Sequence, residues 1–224
     1  MSQPEIQPNT LILSYLALRK AVGGLGALLP VILAIGAALI FQTGLQDSVS
    51  YYYYTGMGNV FVGILCAIGV FLMSYRGYGI VDDRPGDPAL IFVIAGVFAI
   101  GVALFPTEPL IAASTTDVTI GIIHLVFAGL FFLTIAYVSL FLFTRTDPAK
   151  TLTTIRKRRI QTYRVCGWTI VGAIILIAVQ AVLPNDTRQL INPYHPVFWL
   201  ESVAVVAFGV SWLTKGKAIL RNGT

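Results

Sequence analysis

Six long apolar runs, separated by short polar segments, divide the 224-residue chain. Each run approaches or exceeds the roughly 20 apolar residues that an α-helix needs to cross a bilayer. We therefore predict an all-α bundle of six transmembrane helices, at residues 21–41, 59–75, 89–105, 118–143, 165–183 and 197–213. Because short loops join these runs, residues 1–224 are expected to form a single polytopic membrane domain with no separate soluble domain.

Three features of the first run refine this picture. Residues 11–18 are apolar but end at Arg19 and Lys20, so they either lie along the membrane interface or extend the first helix. The run after Lys20 is longer than the roughly 7 to 15 residues of a signal-peptide core, so we expect the helix to stay in the mature protein. Pro30 removes one backbone donor inside the helix and predicts a kink or a local packing adjustment.

Composition excludes a water-soluble globule, since 56% of residues are hydrophobic, 11% are charged and the mean hydropathy is +0.80. The basic residues are distributed unevenly between the two sides of the predicted membrane. If the N terminus is cytoplasmic, every Lys and Arg except Arg188 lies on the cytoplasmic side. Basic residues accumulate in cytoplasmic loops, so both termini are predicted to be cytoplasmic. The expected location is a bacterial inner membrane. Membrane insertion accounts for the net charge of +5, so no nucleic-acid partner is expected.

Ionisable residues inside spans are costly and usually face a bundle interior or a cavity. His124 and Glu201 are such residues, and both lie roughly 6 to 9 Å below the outer boundary at a rise of 1.5 Å per residue. Asn59, Gln180 and Gln42 fall near the same level on other helices. These five positions predict one polar pocket in the outer leaflet.

The pair allows two interpretations. His124 and Glu201 could bond to each other or to nearby amides and set helix register, or they could bind a polar ligand or act as catalytic acid and base. A zinc site is a weaker hypothesis, because His195, Asp47 or Glu108 would have to complete it from loops without motif spacing. We therefore predict neither a metal site nor a cofactor.

Two further patterns lie near the predicted membrane boundaries. Tyr51–Tyr54 precedes the second span and is typical of an interfacial aromatic belt, or alternatively of a pocket wall of hydroxyls. Basic side chains cluster before the fifth span, where they suit topology anchoring or contact with anionic headgroups at about 1 kcal/mol per charge. The cluster comprises Arg156, Lys157, Arg158, Arg159 and Arg164.

Several segments resemble the Frag/DRAM/Sfk group of six-helix membrane proteins and related bacterial membrane proteins of unknown function. The resemblance is carried by Ala-Leu-Phe-Pro-Thr at 103–107, by Ile-Ile-His at 122–124 and by the paired phenylalanines at 131–132. It implies six spans, cytoplasmic termini and a lipid-related role, with Thr107 and His124 as the matching positions. A second likeness, to seven-helix intramembrane metal hydrolases such as alkaline ceramidases, is weaker because those proteins use three histidines and this chain has two.

The leading functional hypothesis is a membrane protein that binds or senses a lipid or small amphiphile in the outer-leaflet pocket. Its ligand-binding residues would be His124, Glu201, Asn59, Gln180, Gln42 and Thr107. The first alternative is an intramembrane hydrolase or acyltransferase with His124 and Glu201 as catalytic residues. The second is a structural or assembly subunit without a ligand. Membrane lipid is the expected partner, and a second copy of the chain or another membrane subunit is a further candidate.

Overall fold

The computed structural model describes residues 10–75, 88–111, 113–146 and 151–220. Within these ranges the chain forms seven α-helices and no strand. The helices are α1 (Thr10–Ile40), α2 (Gly58–Met73), α3 (Pro88–Leu104), α4 (Thr115–Tyr137), α5 (Thr154–Val182), α6 (Asn185–Ile191) and α7 (Pro196–Lys215). A π-helical segment, Val138–Leu142, extends α4, and short 3-10 helices occupy Ser50–Tyr54 and Asn192–Tyr194.

Four of the helical segments are long and apolar enough to cross a membrane: Leu16–Ile40, Thr115–Leu142, Thr154–Val182 and Pro196–Lys215. The apolar segments Gly58–Met73 and Ala89–Leu104, in α2 and α3, are shorter. All six predicted runs are therefore helical, and the chain has the features of an integral membrane protein.

Most helix ends agree with the apolar runs, but two helices begin earlier. The first starts at Thr10, so residues 11–18 extend α1, as one of the two hypotheses held. The fifth starts at Thr154 rather than at 165, because the Thr153 hydroxyl accepts a hydrogen bond from the Arg156 amide and caps the basic segment as a helix. The short α6, in the loop after α5, lies outside every predicted run.

The six long helices pack as a ring in the order α1, α2, α3, α4, α5, α7, with α7 returning to α1. Neighbours are antiparallel and approach closely at glycines. A Cβ on Gly23 of α1 would lie 2.8 Å from the Gly209 carbonyl of α7, and one on Gly69 of α2 would lie 2.8 Å from the Gly96 carbonyl of α3. Small residues at these crossings let apolar helices gain van der Waals contact without a hydrophobic driving force.

The bundle has a basic end and an acidic end. The described cations other than Arg188 lie at the starts of α1 and α5 and near the ends of α4 and α7, which is the basic end. Asp47, Glu108, Asp117 and Asp186 lie at or beside the opposite, acidic end, as does Arg188. The predicted basic residues Arg76, Arg84, Lys150 and Arg221 lie outside the described residues.

Each end has its own buried aromatic cluster. At the basic end, the Trp212 ring lies edge-on to Tyr75 and to Phe143, with centroid separations of 5.2 and 5.4 Å. At the acidic end, the fully buried Tyr52 packs against Phe198 at 6.1 Å. An aromatic belt is therefore wrong for Tyr52, because the 3-10 turn directs this ring into the bundle while Tyr54 remains exposed.

Candidate functional site

Glu201 fastens the loop between α1 and α2 to the start of α7. Its Oε2 atom accepts hydrogen bonds from the amides of Val49, at 2.7 Å, and of Ser50, at 3.3 Å. These amides belong to the first turn of the Ser50–Tyr54 helix, whose leading N–H groups have no partner within the helix. The carboxylate therefore acts as a cap supplied from a distant helix.

Glu201 also lines a small central cavity between α1, α2, α3, α4 and α7. The cavity measures about 30 Å³, and Ser50 is a second lining residue with a polar side chain among otherwise apolar walls. This space exceeds the roughly 10 to 15 Å³ that a cavity needs to hold one water molecule. The cavity can hold solvent beside the carboxylate but is too small for the polar part of a lipid.

His124 is buried and occupies a different position. Its Nδ1 atom lies 2.6 Å from the carbonyl oxygen of Phe105, just beyond the end of α3. A carbonyl only accepts, so the imidazole donates from Nδ1 and satisfies one of the carbonyls left over where a helix ends. His124 and Glu201 thus hold two different segments of the acidic end in place, and neither is the other's hydrogen-bond partner.

A larger pocket opens at the acidic end between α4, α5, α6 and the start of α7. This acidic-end pocket has a volume of about 300 Å³. Its polar lining residues are Asp47, Gln180, Arg188, Asn192 and His195. Apolar side chains from α4, α5 and α7 complete the wall, so the pocket combines a polar set with an apolar surface.

Three contacts organise this polar set. The His195 Nδ1 atom lies 2.8 Å from Asp47 Oδ1, so the ring donates to the carboxylate when Nδ1 carries the proton. The Asp47 carbonyl accepts from the Phe198 amide at 3.0 Å, which seats the same loop on the first turn of α7. On the other wall, the Gln180 amide nitrogen donates to Asn192 Oδ1 at 3.3 Å.

Two buried polar atoms of the pocket residues have no hydrogen-bond partner among the described residues. They are Oε1 of Gln180, an acceptor, and Nε of Arg188, a donor. The Nη2 atom of Arg188 donates to the Leu183 carbonyl and to Asn185 Oδ1, at 3.3 and 3.2 Å. Buried polar groups are nearly always satisfied in folded proteins, so water or a ligand that entered after a small movement of these side chains would satisfy both atoms.

The remaining predicted ligand-binding residues lie apart from this pocket. Gln42 is exposed and takes the left-handed conformation, with φ 50°, just beyond α1. Asn59 is exposed in the first turn of α2. The Thr107 carbonyl accepts from the Tyr54 hydroxyl at 2.5 Å and joins two acidic-end loops. Of the six predicted residues, Gln180 lines the acidic-end pocket and Glu201 lines the central cavity.

The basic cluster before the fifth span divides into two groups. Arg156 and Arg159 turn inward: Arg156 donates to the Arg145 carbonyl at 2.6 Å, and Arg159 donates to the Leu220 carbonyl at 3.0 and 2.6 Å. Lys157, Arg158 and Arg164 are exposed on α5. The inward pair ties α5 to the chain following α4 and α7, and the outward three form the accessible positive surface.

The sequence predicted no pocket role for Arg188 or Asn192. It indicated Asp47 and His195 only as weak candidates for a metal site, and it favoured an interfacial, solvent-facing position for His195. These residues lie in loops or in the short α6, where span-by-span counting assigns no depth. Among the described residues, no group of three or more His, Cys, Asp and Glu side chains is placed to hold a metal ion. No protein-family model, curated protein or solved structure matches this chain.

Proposed function

We propose that the protein is a six-span inner-membrane protein whose basic end faces the cytoplasm. The alternating direction of the six ring helices and the concentration of cations at one end support this topology. At 16 and 17 residues, α2 and α3 are about 24 to 26 Å long, slightly less than the roughly 30 Å hydrocarbon core. Local thinning or snorkelling at the ends accommodates such a difference.

Cysteine labelling tests the topology, including the two short helices. Ser74→Cys and Lys217→Cys, both at the basic end, should react with a membrane-impermeant maleimide only after permeabilisation. Asp186→Cys, at the acidic end, should react in intact cells. Labelling of Ser74→Cys from outside would show that α2 and α3 do not cross as proposed.

The proposed activity is binding of a lipid or small amphiphile, with its polar head in the acidic-end pocket. The observation that carries the proposal is a pair of polar atoms without partners on two side chains that line this pocket, Gln180 Oε1 and Arg188 Nε. The pocket opens at the membrane boundary in the proposed topology, where amphiphile headgroups reside. Its volume of about 300 Å³ lies at the lower end of ligand pockets, roughly 300 to 1,000 Å³.

The charges of the pocket favour a head that carries both a donor and an anionic acceptor. A phosphate oxygen can accept from Arg188, since guanidinium groups suit phosphate. An ammonium group can donate to Gln180 Oε1 and lies favourably near the Asp47 carboxylate. A phosphoethanolamine head has both groups, whereas a phosphoglycerol head replaces the ammonium with hydroxyls.

Binding of short-chain phosphatidylethanolamine and phosphatidylglycerol to purified protein in detergent would test the proposal. Gln180→Leu and Arg188→Met should each weaken phosphatidylethanolamine binding about 10- to 100-fold, the effect of losing a hydrogen bond to a charged group. Gln189→Leu, on the exposed face of α6, is the matched control and should leave binding unchanged. Equal binding by all three variants would refute the pocket assignment.

A second contact with lipid is proposed for the outward basic group. Lys157, Arg158 and Arg164 are exposed and would meet the cytoplasmic leaflet, where each cation contributes about 1 kcal/mol with anionic headgroups. The inward Arg156 and Arg159 are expected to affect stability more than lipid affinity, because their guanidinium groups already bind backbone carbonyls.

A further inference from the structure

A long apolar groove runs along α7 on the outside of the bundle. One face of α7 forms its floor, at positions 198, 199, 202, 203, 206, 207 and 210, and side chains of α1 and α5 form its walls. The groove has a volume of about 630 Å³, twice that of the acidic-end pocket. None of its lining residues carries a carboxylate, ammonium or guanidinium group.

The position and length of the groove match one lipid tail. It lies on three helices that are each long and apolar enough to cross a membrane, so its walls lie at hydrocarbon depth. From Phe198 to Val210 the floor extends about 18 Å, and the part from Ser202 to Val210 extends about 12 Å, close to the roughly 15 Å that one leaflet contributes to the hydrocarbon core. Trp199 stands at the end nearer the acidic end, where an indole ring suits the membrane boundary.

The floor contains one polar side chain with no partner. Ser202 is 8% exposed, and its hydroxyl has no hydrogen bond among the described residues. Other helix hydroxyls in this protein donate to the carbonyl four residues earlier, such as Thr134 to Leu130 and Thr214 to Val210, at 2.7 and 2.8 Å. The Ser202 hydroxyl is not used in this way, and because its oxygen is covered it would donate to a molecule in the groove after a change of side-chain rotamer.

We infer that this groove binds one acyl chain of a membrane lipid or amphiphile, with Ser202 donating to the ester or amide carbonyl at the head of the chain. The carbonyl would lie about two turns below the start of α7, and the tail would continue toward Cys166 and Val210. The inference rests on the proposed function for its membrane setting. It adds a tail-binding site that does not depend on the acidic-end pocket.

Fluorescence quenching can detect an occupant directly, because Trp199 lines the groove. Replacing the exposed Trp168 with Phe leaves Trp199 and the buried Trp212 as reporters. In detergent, a long-chain fatty acid methyl ester with a nitroxide on its chain should then quench Trp199 saturably. The probe has no charged head, so Gln180→Leu should not change its binding. Saturable quenching of Trp199 is therefore expected even if the acidic-end pocket does not bind a headgroup.

A matched pair of substitutions tests the location. Val203→Phe fills the groove, whereas Val179→Phe adds the same bulk at a similarly exposed valine outside it; the two valines are 48% and 47% exposed. We expect Val203→Phe to weaken probe binding at least about tenfold. Val179→Phe should have no effect. Val206→Phe, also in the groove, provides a second test should Val203→Phe fail to fold.

The hydroxyl is tested by comparing two probes. Ser202→Ala should weaken binding of the methyl ester about 5- to 10-fold, the effect of one neutral hydrogen bond, and leave a nitroxide-labelled alkane unaffected. Non-saturable quenching, or equal binding by Val203→Phe and Val179→Phe, would overturn the acyl-chain site. A third outcome is that the protein is a dimer, that Val203→Phe dissociates the dimer while Val179→Phe does not, and that quenching is not saturable. This outcome would instead assign the groove to a second copy of the chain.

Discussion

Removing the Glu201 carboxylate should destabilise the protein through the loop between α1 and α2. In Glu201→Ala, the amides of Val49 and Ser50 lose the acceptor at 2.7 and 3.3 Å. Hydrogen bonds to charged groups contribute about 1.5 to 3 kcal/mol, and an unmet buried amide costs about 1 to 3 kcal/mol. The adjoining cavity of about 30 Å³ would enlarge and admit water, which offsets part of the loss.

We therefore expect Glu201→Ala to lower the free energy of unfolding by about 2 to 4 kcal/mol. Glu201→Gln should cost less, about 1 kcal/mol, because its amide oxygen still accepts from Val49 while the charge is lost. Unfolding in mixed micelles of increasing dodecyl sulfate content, followed by circular dichroism, measures both. Amide hydrogen exchange at Val49 and Ser50 should also accelerate, which a loss of stability elsewhere in the bundle would not selectively produce.

Glu108→Ala is the control for Glu201→Ala. Glu108 is an exposed acid at the same end of the bundle, and its removal should change stability by no more than about 0.5 kcal/mol. If Glu201→Ala unfolds at the same detergent composition as Glu108→Ala, the capping role assigned to Glu201 is wrong.

Two further predictions concern helix packing. Gly69→Ala should lower the free energy of unfolding by about 1 to 3 kcal/mol, because its Cβ would lie 2.8 Å from the Gly96 carbonyl. The Cβ of Gly63→Ala, on the same helix, meets nothing within 4 Å, so this control should be neutral or stabilising. Ser139, in the π-helical segment after α4, and Ser211 of α7 share a buried hydrogen bond of 3.0 Å. Each single alanine variant should therefore cost about 1 kcal/mol or more, and the double variant little beyond one of them. Detergent unfolding checks both predictions, and additive losses for the two serines would contradict the second.

The apolar runs were sufficient to locate six of the seven helices, because hydrophobic length is a local property of the chain. They did not locate the start of α5, where Thr153 caps a basic segment that hydropathy alone places in a loop. They also missed α6, seven residues long and polar enough to resemble a turn. The first error arises because a side-chain cap rather than apolar length starts the helix, and the second because a short polar helix carries no apolar signal.

The candidate site was harder to predict, because two side chains at the same depth in the membrane need not be close together. His124, Glu201 and Gln180 were assigned to one layer, yet they have different partners. His124 donates to a carbonyl of the α3–α4 loop, Glu201 accepts from the α1–α2 loop, and Gln180 lines the acidic-end pocket. Rotation about each helix axis and the path of each loop determined these differences, and neither follows from counting residues along a span.

The sequence by itself determined the helical class, the membrane character and the separation of basic from acidic ends, because these follow from local apolar length and from charge position. Tertiary structure alone brought Arg188 and His195 to the pocket of Gln180, and exposed the face of α7 that forms the groove. The physical reason is that packing energy depends on which faces of separate helices meet. Close contacts such as that between Gly23 and Gly209 determine which faces meet. These residues are too far apart in the sequence for a local pattern to relate them.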